Sequence, residues 1–510
     1  MKKTFLLCIG IFITLSAFAQ QKFLLKSPQN TWLMRNSING IPIAHDNGNY
    51  YYFANARPNS IGKPKSYTDH IYTIEKDNLT VKDMAVTVSG MHTFLGALNT
   101  DDQIVALYQS LNKKGDVVNF SIGTLNKSES EVSVTDINSV STTANPRFWP
   151  EFKTATSPDG KMLASLVTVT GKNSQLENLF AVVVNSQGEF VWSGAVTPKF
   201  SGEAFSLGDI TVDNNGDLYI PAYTCNVRGK KVSDVQFLVI KTNGDGSQTY
   251  SADLTFGKPQ NFIAKVLSDG NLAIGGFFTD TYEDIMTQSN GYFFYTFDTK
   301  QENFSSGNSF DFSSNYAQKK APARLAWVLG NQQYSIAALK MFELENGAIV
   351  LCGEHQFVKA IRDMNTNSTT YQLLTKNILA ATLRTDGTTD FSMIDKQQIG
   401  GGAILPDDWL LNNISYSAIA NGNDMYFLFN DNPKNVPYPG SGAVCNMGGL
   451  KMNTEAKCVL MRLAPDQEVT QRVLPNGDQV MRAIEFSDNE YIYVSGINKN
   501  GLSINKFSLK

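Results

Sequence analysis

The chain has only five cysteines and four histidines in 510 residues, too few for a disulfide framework or a histidine-rich metal protein. No two cysteines stand as CxxC, and no two histidines as HxH or HxxxH, so the close ligand pairs of zinc and copper sites are missing. No metal and no cofactor are expected. An excess of one charge is missing too. The 43 Lys and Arg against 47 Asp and Glu leave a formal net charge of −4. The basic residues are scattered, which gives no electrostatic footprint for nucleic acid or for an anionic membrane. After the first residues no apolar run approaches the roughly 20 residues of a membrane-spanning helix, so no membrane span is expected. GxSxG, a P-loop and a GxGxxG at a strand-to-helix junction are absent, as are the Asp-box, the Trp-Asp repeat ending and the Trp-ended quinoprotein repeat. Helical periodicity is nearly absent, with only 322–330 suggesting a short helix.

The N-terminus runs Met1, Lys2, Lys3, an apolar stretch over 5–15, then Ala17-Phe18-Ala19. That order of charged, apolar and small residues predicts a signal peptide over 1–19, with Gln20 as the mature start. Cys8 lies inside the apolar stretch rather than after small residues at its end, which argues against a lipid anchor. The expected location is the periplasm, or the cell exterior and surface. The rest, 20–510, reads as a single domain.

Four cysteines remain after cleavage. Cys445 and Cys458 flank a loop rich in Gly, Asn and Lys, and a bridge there would close about a dozen residues, worth on the order of 3 kcal/mol in the loop-entropy model. A disulfide is expected between them, with two free thiols as the alternative. Cys225 and Cys352 each end an apolar run, where a buried free thiol packs as a small hydrophobe.

One pattern recurs along the chain: an apolar or alternating run, a tight turn of Asp, Asn and Gly, then a second run rich in Tyr, Ile, Leu and Val. The turns are Asn47-Gly48, Asp101-Asp102, Asp159-Gly160, Asn215-Gly216, Asp269-Gly270, Asn346-Gly347, Asn421-Gly422 and Asp488-Asn489. A third and fourth strand follow in most units, as in 179–184, a turn at Gln187-Gly188, and 190–196. Four antiparallel strands per unit make the blade of a propeller. The expected fold is therefore all-β, a single β-propeller of about eight four-stranded antiparallel blades, with seven as the alternative. The last unit stops after a third strand at 502–509, and the first mature residues, 22–26, read as a strand without a unit. The N-terminal strand is thus expected to complete the last blade, which closes the ring and leaves no long sheet edge exposed.

The runs Ser268-Asp269-Gly270-Asn271-Leu272-Ala273-Ile274-Gly275-Gly276 and Asn346-Gly347-Ala348-Ile349-Val350-Leu351-Cys352-Gly353 resemble the DG-turn propeller repeats of bacterial secreted proteins, the SBBP type. Leu383-Arg384-Thr385-Asp386-Gly387 fits the same pattern. The resemblance implies a propeller and no particular activity.

In such a fold the blade-to-blade connections gather on one face, and the long segments 55–69, 139–152, 279–291, 313–334, 354–376, 399–412 and 430–457 fall there. Four of the five tryptophans, Trp32, Trp149, Trp327 and Trp409, fall in blade-to-blade connections, the last three within these long segments, and Trp192 lies in a strand. Arg147, Arg324, Asp407 and Asp408 stand beside them. The expected role is a secreted, non-catalytic binding or assembly scaffold holding a glycan, peptide or protein partner on that face. Indoles wedged between blades as packing are the competing reading. The alternative function is a hydrolase or lyase acting on an extracellular polymer, with carboxylates in the central funnel drawn from Glu151, Glu283, Asp284, Asp407 and Asp408. His70, His92 and His355 would lie near the same face and His45 near the opposite one. Asp213-Asn214-Asn215-Gly216-Asp217 resembles part of a calcium loop but lacks its glutamate and occupies the recurring turn.

Overall fold

The structure is a computed structural model that describes residues 21–24, 39–46, 48–55, 66–89, 92–112, 117–127, 132–141, 151–170, 176–198, 204–228, 231–254, 256–279, 289–312, 335–363, 368–403, 415–436, 443–447, 455–476, 479–498 and 501–509. The signal-peptide reading and the suggested helix at 322–330 fall outside these.

Strand follows strand, and the strands pair almost wholly antiparallel into eight sheets. In chain order the first seven sheets span 39–89, 92–141, 151–196, 204–253, 258–311, 335–403 and 417–474. The eighth takes 480–508 together with Gln21–Leu24, and the pair Cys445–Asn446 joins the sixth. Each is a meander whose first two strands meet at one of the recurring turns. Gly270 (φ 86°) and Gly347 (φ 79°) sit in these turns with a left-handed backbone that glycine adopts without a Cβ penalty. Their amides close the turns onto Leu267 and Leu344 at 2.9 Å.

The second strands are buried on both faces, so their side chains feed two different cores by period two. In Asn49–Asn55, Tyr50 and Tyr52 pack with Phe486 and Tyr493 of the eighth sheet. Tyr51 and Phe53 point the other way, to Ile104 and Tyr108 of the second sheet. The same division repeats along the chain, and each pair of neighbouring sheets shares a cluster of its own. Leu272–Thr279 is buried at every position, because the fourth and sixth sheets cover its two faces.

First strands of successive sheets touch, from Asn39–His45 against His92–Asn99 through to Val480–Ser487, which returns to Asn39–His45. The backbone of Asp209 bridges that of Ile263 in parallel, as neighbouring inner strands around a common axis should. Successive antiparallel meanders packed face to face around an axis are the strand plan of a β-propeller.

Near the turn end, a hydrogen bond crosses every seam. Lys127 Nζ donates to Asp46 Oδ2 (3.2 Å), Gln103 Nε2 to the Ser186 carbonyl (3.2 Å), Trp192 Nε1 to the Gly216 carbonyl (2.9 Å) and Lys241 Nζ to Glu302 Oε1 (3.1 Å). The Ser268 amide donates to Glu343 Oε2 (2.8 Å), the Asn346 amide to Asn423 Oδ1 (2.8 Å) and Arg472 Nη1 to the Ser508 carbonyl (2.9 Å). Lys506 Nζ then reaches the Lys76 carbonyl at 3.1 Å, tying the last sheet to the first. Gln21–Leu24 lies antiparallel to Gly501–Ser508, with Phe23 opposite Ile504.

Two segments differ from their reading as long loops. Residues 354–376 are mostly a strand hairpin, since Ile349–Asp363 and Ser368–Leu383 stay paired out to Asp363 and Ser368. Within 430–457, Cys445–Asn446 forms a short parallel pair with Gln398–Ile399. The hairpin persists because Gln398–Ala403 pairs with its outer half and satisfies backbone groups that a bare loop would leave to water.

Candidate functional site

The residues chosen from sequence for the binding face lie outside the described residues. Arg147 and Trp149 fall between the second and third sheets, Arg324 and Trp327 between the fifth and sixth, and Asp407, Asp408 and Trp409 between the sixth and seventh. Glu283 and Asp284 lie outside as well, while Glu151 opens the strand Glu151–Thr156 opposite Thr168. The histidines are dispersed. His45, His70, His92 and His355 stand in three sheets, His45 and His70 in the first, His92 in the second and His355 in the sixth. Burial, with Lys376 adding to it, pulls the His355 imidazole down to about 4. It is neutral at ordinary pH.

Trp192 behaves as a packing wedge. Its indole is buried in the cluster between the third and fourth sheets and its N–H caps a turn carbonyl of the neighbour.

The expected disulfide is not formed. Cys445 and Cys458 are both buried free thiols. Their strands place them in different cores, Cys445 with Leu373 and Val480, Cys458 with Leu428 and Ile492. Cys445 Sγ instead lies 3.4 Å from Met447 Sδ, and burial pushes its thiol up to about 12. Cys225 and Cys352 are buried thiols too.

Charge collects instead near the axis, on strands where the sequence reading placed no site residue. Lys340 comes from Ser335–Glu343, and Arg482 and Glu485 come from Val480–Ser487. Behind them Glu354 and Lys396 form an ion pair in which neither side chain has any accessible surface. Glu354 is saturated: its second oxygen accepts from Gln356 Nε2 at 2.8 Å and from the Ser415 hydroxyl. Burial pushes the Lys396 ammonium down and Glu354 opposes that shift. The Tyr416 ring faces both lysines, with Lys340 Nζ 5.7 Å and Lys396 Nζ 6.0 Å from its centroid.

Glu485 stands at the seam between the last sheet and the first, where Tyr52 donates its hydroxyl to Oε1 at 3.3 Å. Burial raises its carboxyl to about 7, against the lowering effect of the Ser495 hydrogen bond, the Arg482 charge, Tyr52 and Lys340. Burial also lowers the Lys340 ammonium, with Cys352, Glu485 and Glu354 acting the other way. Lys340, Arg482 and Glu485 keep part of their surface accessible, unlike Glu354 and Lys396. The arrangement offers one carboxyl able to exchange a proton near neutrality and two cations beside it.

A second concave feature lies at the turn end, between the first and second sheets. It is a polar cleft of about 730 Å³ whose lining includes Asp46, Tyr51, Lys82, Asp101, Asp102 and Lys127. Burial works to raise the Asp46 carboxyl, but hydrogen bonds from Tyr51, the Gly48 and Asn49 amides and Lys127 outweigh it and hold the group at about 2. Asp46 is thereby committed to the turn and to the seam.

No family model and no curated protein matches this chain. Among solved structures it is similar to the polysaccharide lyase Uly1, at 11% identity and a TM-score of 0.40, over 81% of this chain and 89% of that one. It is similar to the WD40 domain of SCAP from fission yeast at 9% identity and a TM-score of 0.31, over 92% of this chain and 98% of that one. The β-propeller domain of the Trilobed protease from Pyrococcus furiosus aligns at 8% identity and a TM-score of 0.33, over 73% of this chain and 98% of that one. Likeness at this level carries nothing about activity, and the fold assignment rests on the chain's own strand order.

Proposed function

We propose that the chain is an exported, single-domain propeller of eight blades, closed by Gln21–Leu24, that serves as a non-catalytic binding or assembly scaffold. A glycan, peptide or protein partner is held on the end where the blade connections gather, by Trp149, Trp327 and Trp409 with Arg147, Arg324, Asp407 and Asp408. The observation that carries this reading is the asymmetry of the two ends. At one end each first hairpin closes in a tight turn and hydrogen bonds cross every seam. The other end carries the long connections 55–66, 141–151, 279–291, 311–335 and 403–417. Export rests on the order of residues at 1–19 and places the mature chain in the periplasm or at the cell exterior.

A second reading, a hydrolase or lyase with carboxylates in the funnel, is favoured by one observation, the Glu485 carboxyl near neutrality. It is opposed by Glu354, whose oxygens are all engaged within the protein. Screening the purified mature chain on glycan and peptide arrays, alone and with Trp149, Trp327 and Trp409 changed to Ala, tests the scaffold reading. A ligand that binds all four proteins equally would overturn it. Turnover of a polymer abolished by Glu485→Gln would establish the second reading, and a mature N-terminus other than Gln20 would revise the cleavage site.

A further inference from the structure

We propose that Glu354 and Lys396 are the precursors of an intramolecular isopeptide cross-link, an amide that the folded chain forms by itself with loss of one water. The two residues are 42 apart in sequence. Glu354 lies in Ile349–Asp363 opposite Ile378 of Ser368–Leu383, and Ile378 in turn lies opposite Ile394 of Thr389–Ile394. Lys396 follows two residues later, so the amide would reach over the middle strand and tie the strand on one side to the connection on the other. Its formation is independent of any partner on the connection-bearing face.

Condensation needs an amine and a carboxyl held in contact, shielding from water, and donors for the oxygen on which charge builds. Lys396 Nζ meets Glu354 Oε2, and neither side chain has any accessible surface. A contact held in this way replaces a bimolecular encounter, worth effective molarities of roughly 10⁵–10⁸ M where the geometry is right. The same enclosure penalises the ion pair, because two charges withdrawn from water regain only part of their solvation from each other. Burial pushes the Lys396 ammonium down, toward the neutral amine that attacks carbon, although Glu354, Asp431 and Cys445 all act the other way. Asp431 is anchored elsewhere, its Oδ1 accepting from Asn435 Nδ2 and from the Asn432 amide, both at 2.7 Å. Glu354 Oε1 accepts from Gln356 Nε2 at 2.8 Å and from the Ser415 hydroxyl, two donors aimed at the oxygen that turns negative in a tetrahedral intermediate. The step balances within the pair. Two of the three Nζ protons pass to Oε2, the Nζ–Cδ bond forms, the Cδ–Oε2 bond breaks and Oε2 leaves as water. Two opposite charges become one neutral amide, and no oxidant or cofactor is consumed. The ion pair is the reactant state.

The test is the intact mass of the denatured chain starting at Gln20, sampled over days while the folded protein is incubated at neutral pH. A population lighter than the sequence mass by one water should grow with time, and proteolysis should yield a branched peptide joining the Glu354 and Lys396 fragments. The branch separates this bond from cyclisation at Gln20 or at an Asp-Gly turn, which also lower the mass. Lys396→Arg keeps the positive charge but has no amine to acylate, and should give no branched peptide. Ser415→Ala should slow formation by about a hundredfold, the effect of losing one donor to the developing oxyanion, and an equal rate counts against the assigned chemistry. Wild type that yields no branched peptide after incubation overturns the proposal by itself, whether or not the variants fold. So does a branched peptide at the same position in Lys396→Arg.

Discussion

Replacing Glu485 by Gln should change the pH dependence of stability in a defined window and direction. A carboxyl moved from its ordinary 4.5 to about 7 binds more protons folded than unfolded between those values, so it makes stability fall as pH rises through the window. Above about 7 both states are ionised and the folded state has lost about 3 kcal/mol, at roughly 1.4 kcal/mol per pH unit. This is an upper bound, because part of the side chain still meets water. Gln keeps an oxygen for the Tyr52 hydroxyl and cannot ionise. His355 complicates the wild-type curve, for an imidazole pulled from 6.5 to about 4 makes stability fall as pH drops through that range. The two slopes oppose each other between pH 4.5 and 6.5. The assay is therefore a difference: urea unfolding of wild type and Glu485→Gln at pH 5, 6, 7 and 8. The variant should gain on wild type by up to about 3 kcal/mol between the acid and alkaline ends, as His355 is common to both. Parallel stability curves would refute the argument that Glu485 is desolvated at the closing seam.

Glu354→Gln should destabilise by about 3–5 kcal/mol, because it takes the paired carboxylate from a Lys396 side chain that has no accessible surface. Pairing it with Lys396→Met should recover most of the loss in the same urea titration, and a harmless single variant would contradict the burial of the pair. Starting the chain at Ser27 removes Gln21–Leu24 and leaves Gly501–Ser508 as an open edge, so a lower melting temperature and self-association in light scattering are expected relative to a chain starting at Gln20. A truncated chain as stable and monodisperse as the full one would show that the pairing contributes nothing. Thiol titration of the unreduced chain starting at Gln20 should find almost no reactive cysteine when native and four in guanidinium. Two in guanidinium would restore the Cys445–Cys458 bridge.

The strands were legible because two independent signals coincide in each unit. The turn residues fix where a hairpin closes, and the run after it is apolar at consecutive positions, as in 272–279, because neighbours cover both faces. The axial charges were not legible for the same reason. Lys340 in Ser335–Glu343 and Glu485 in Val480–Ser487 look like the polar half of an alternating strand, and only the neighbours' positions reveal that the polar half is enclosed. The 354–376 segment was misread because its polar composition resembles a loop. Its partner strand at Gln398–Ala403, which makes it a hairpin, lies a full strand away in sequence. Spacing suggested joining Cys445 to Cys458, but register sends the two to separate cores.

Trp192 sharpens what should be asked of the other tryptophans. Its strand holds the ring against the next sheet, and the neighbour's Gly216 carbonyl accepts its N–H at 2.9 Å. A wedge of this kind needs a fixed backbone behind it and an acceptor ahead. Trp149, Trp327 and Trp409 stand in connections, where a packing role would require each connection to fold back over its seam. The two roles separate in one experiment, because truncating a buried tryptophan to Ala costs about 3–5 kcal/mol of stability, whereas truncating a binding residue costs affinity at constant stability. Melting Trp149→Ala, Trp327→Ala and Trp409→Ala beside Trp192→Ala supplies the calibration. If the three lose as much stability as Trp192→Ala, they are seam packing, and the proposed binding role of these tryptophans is refuted.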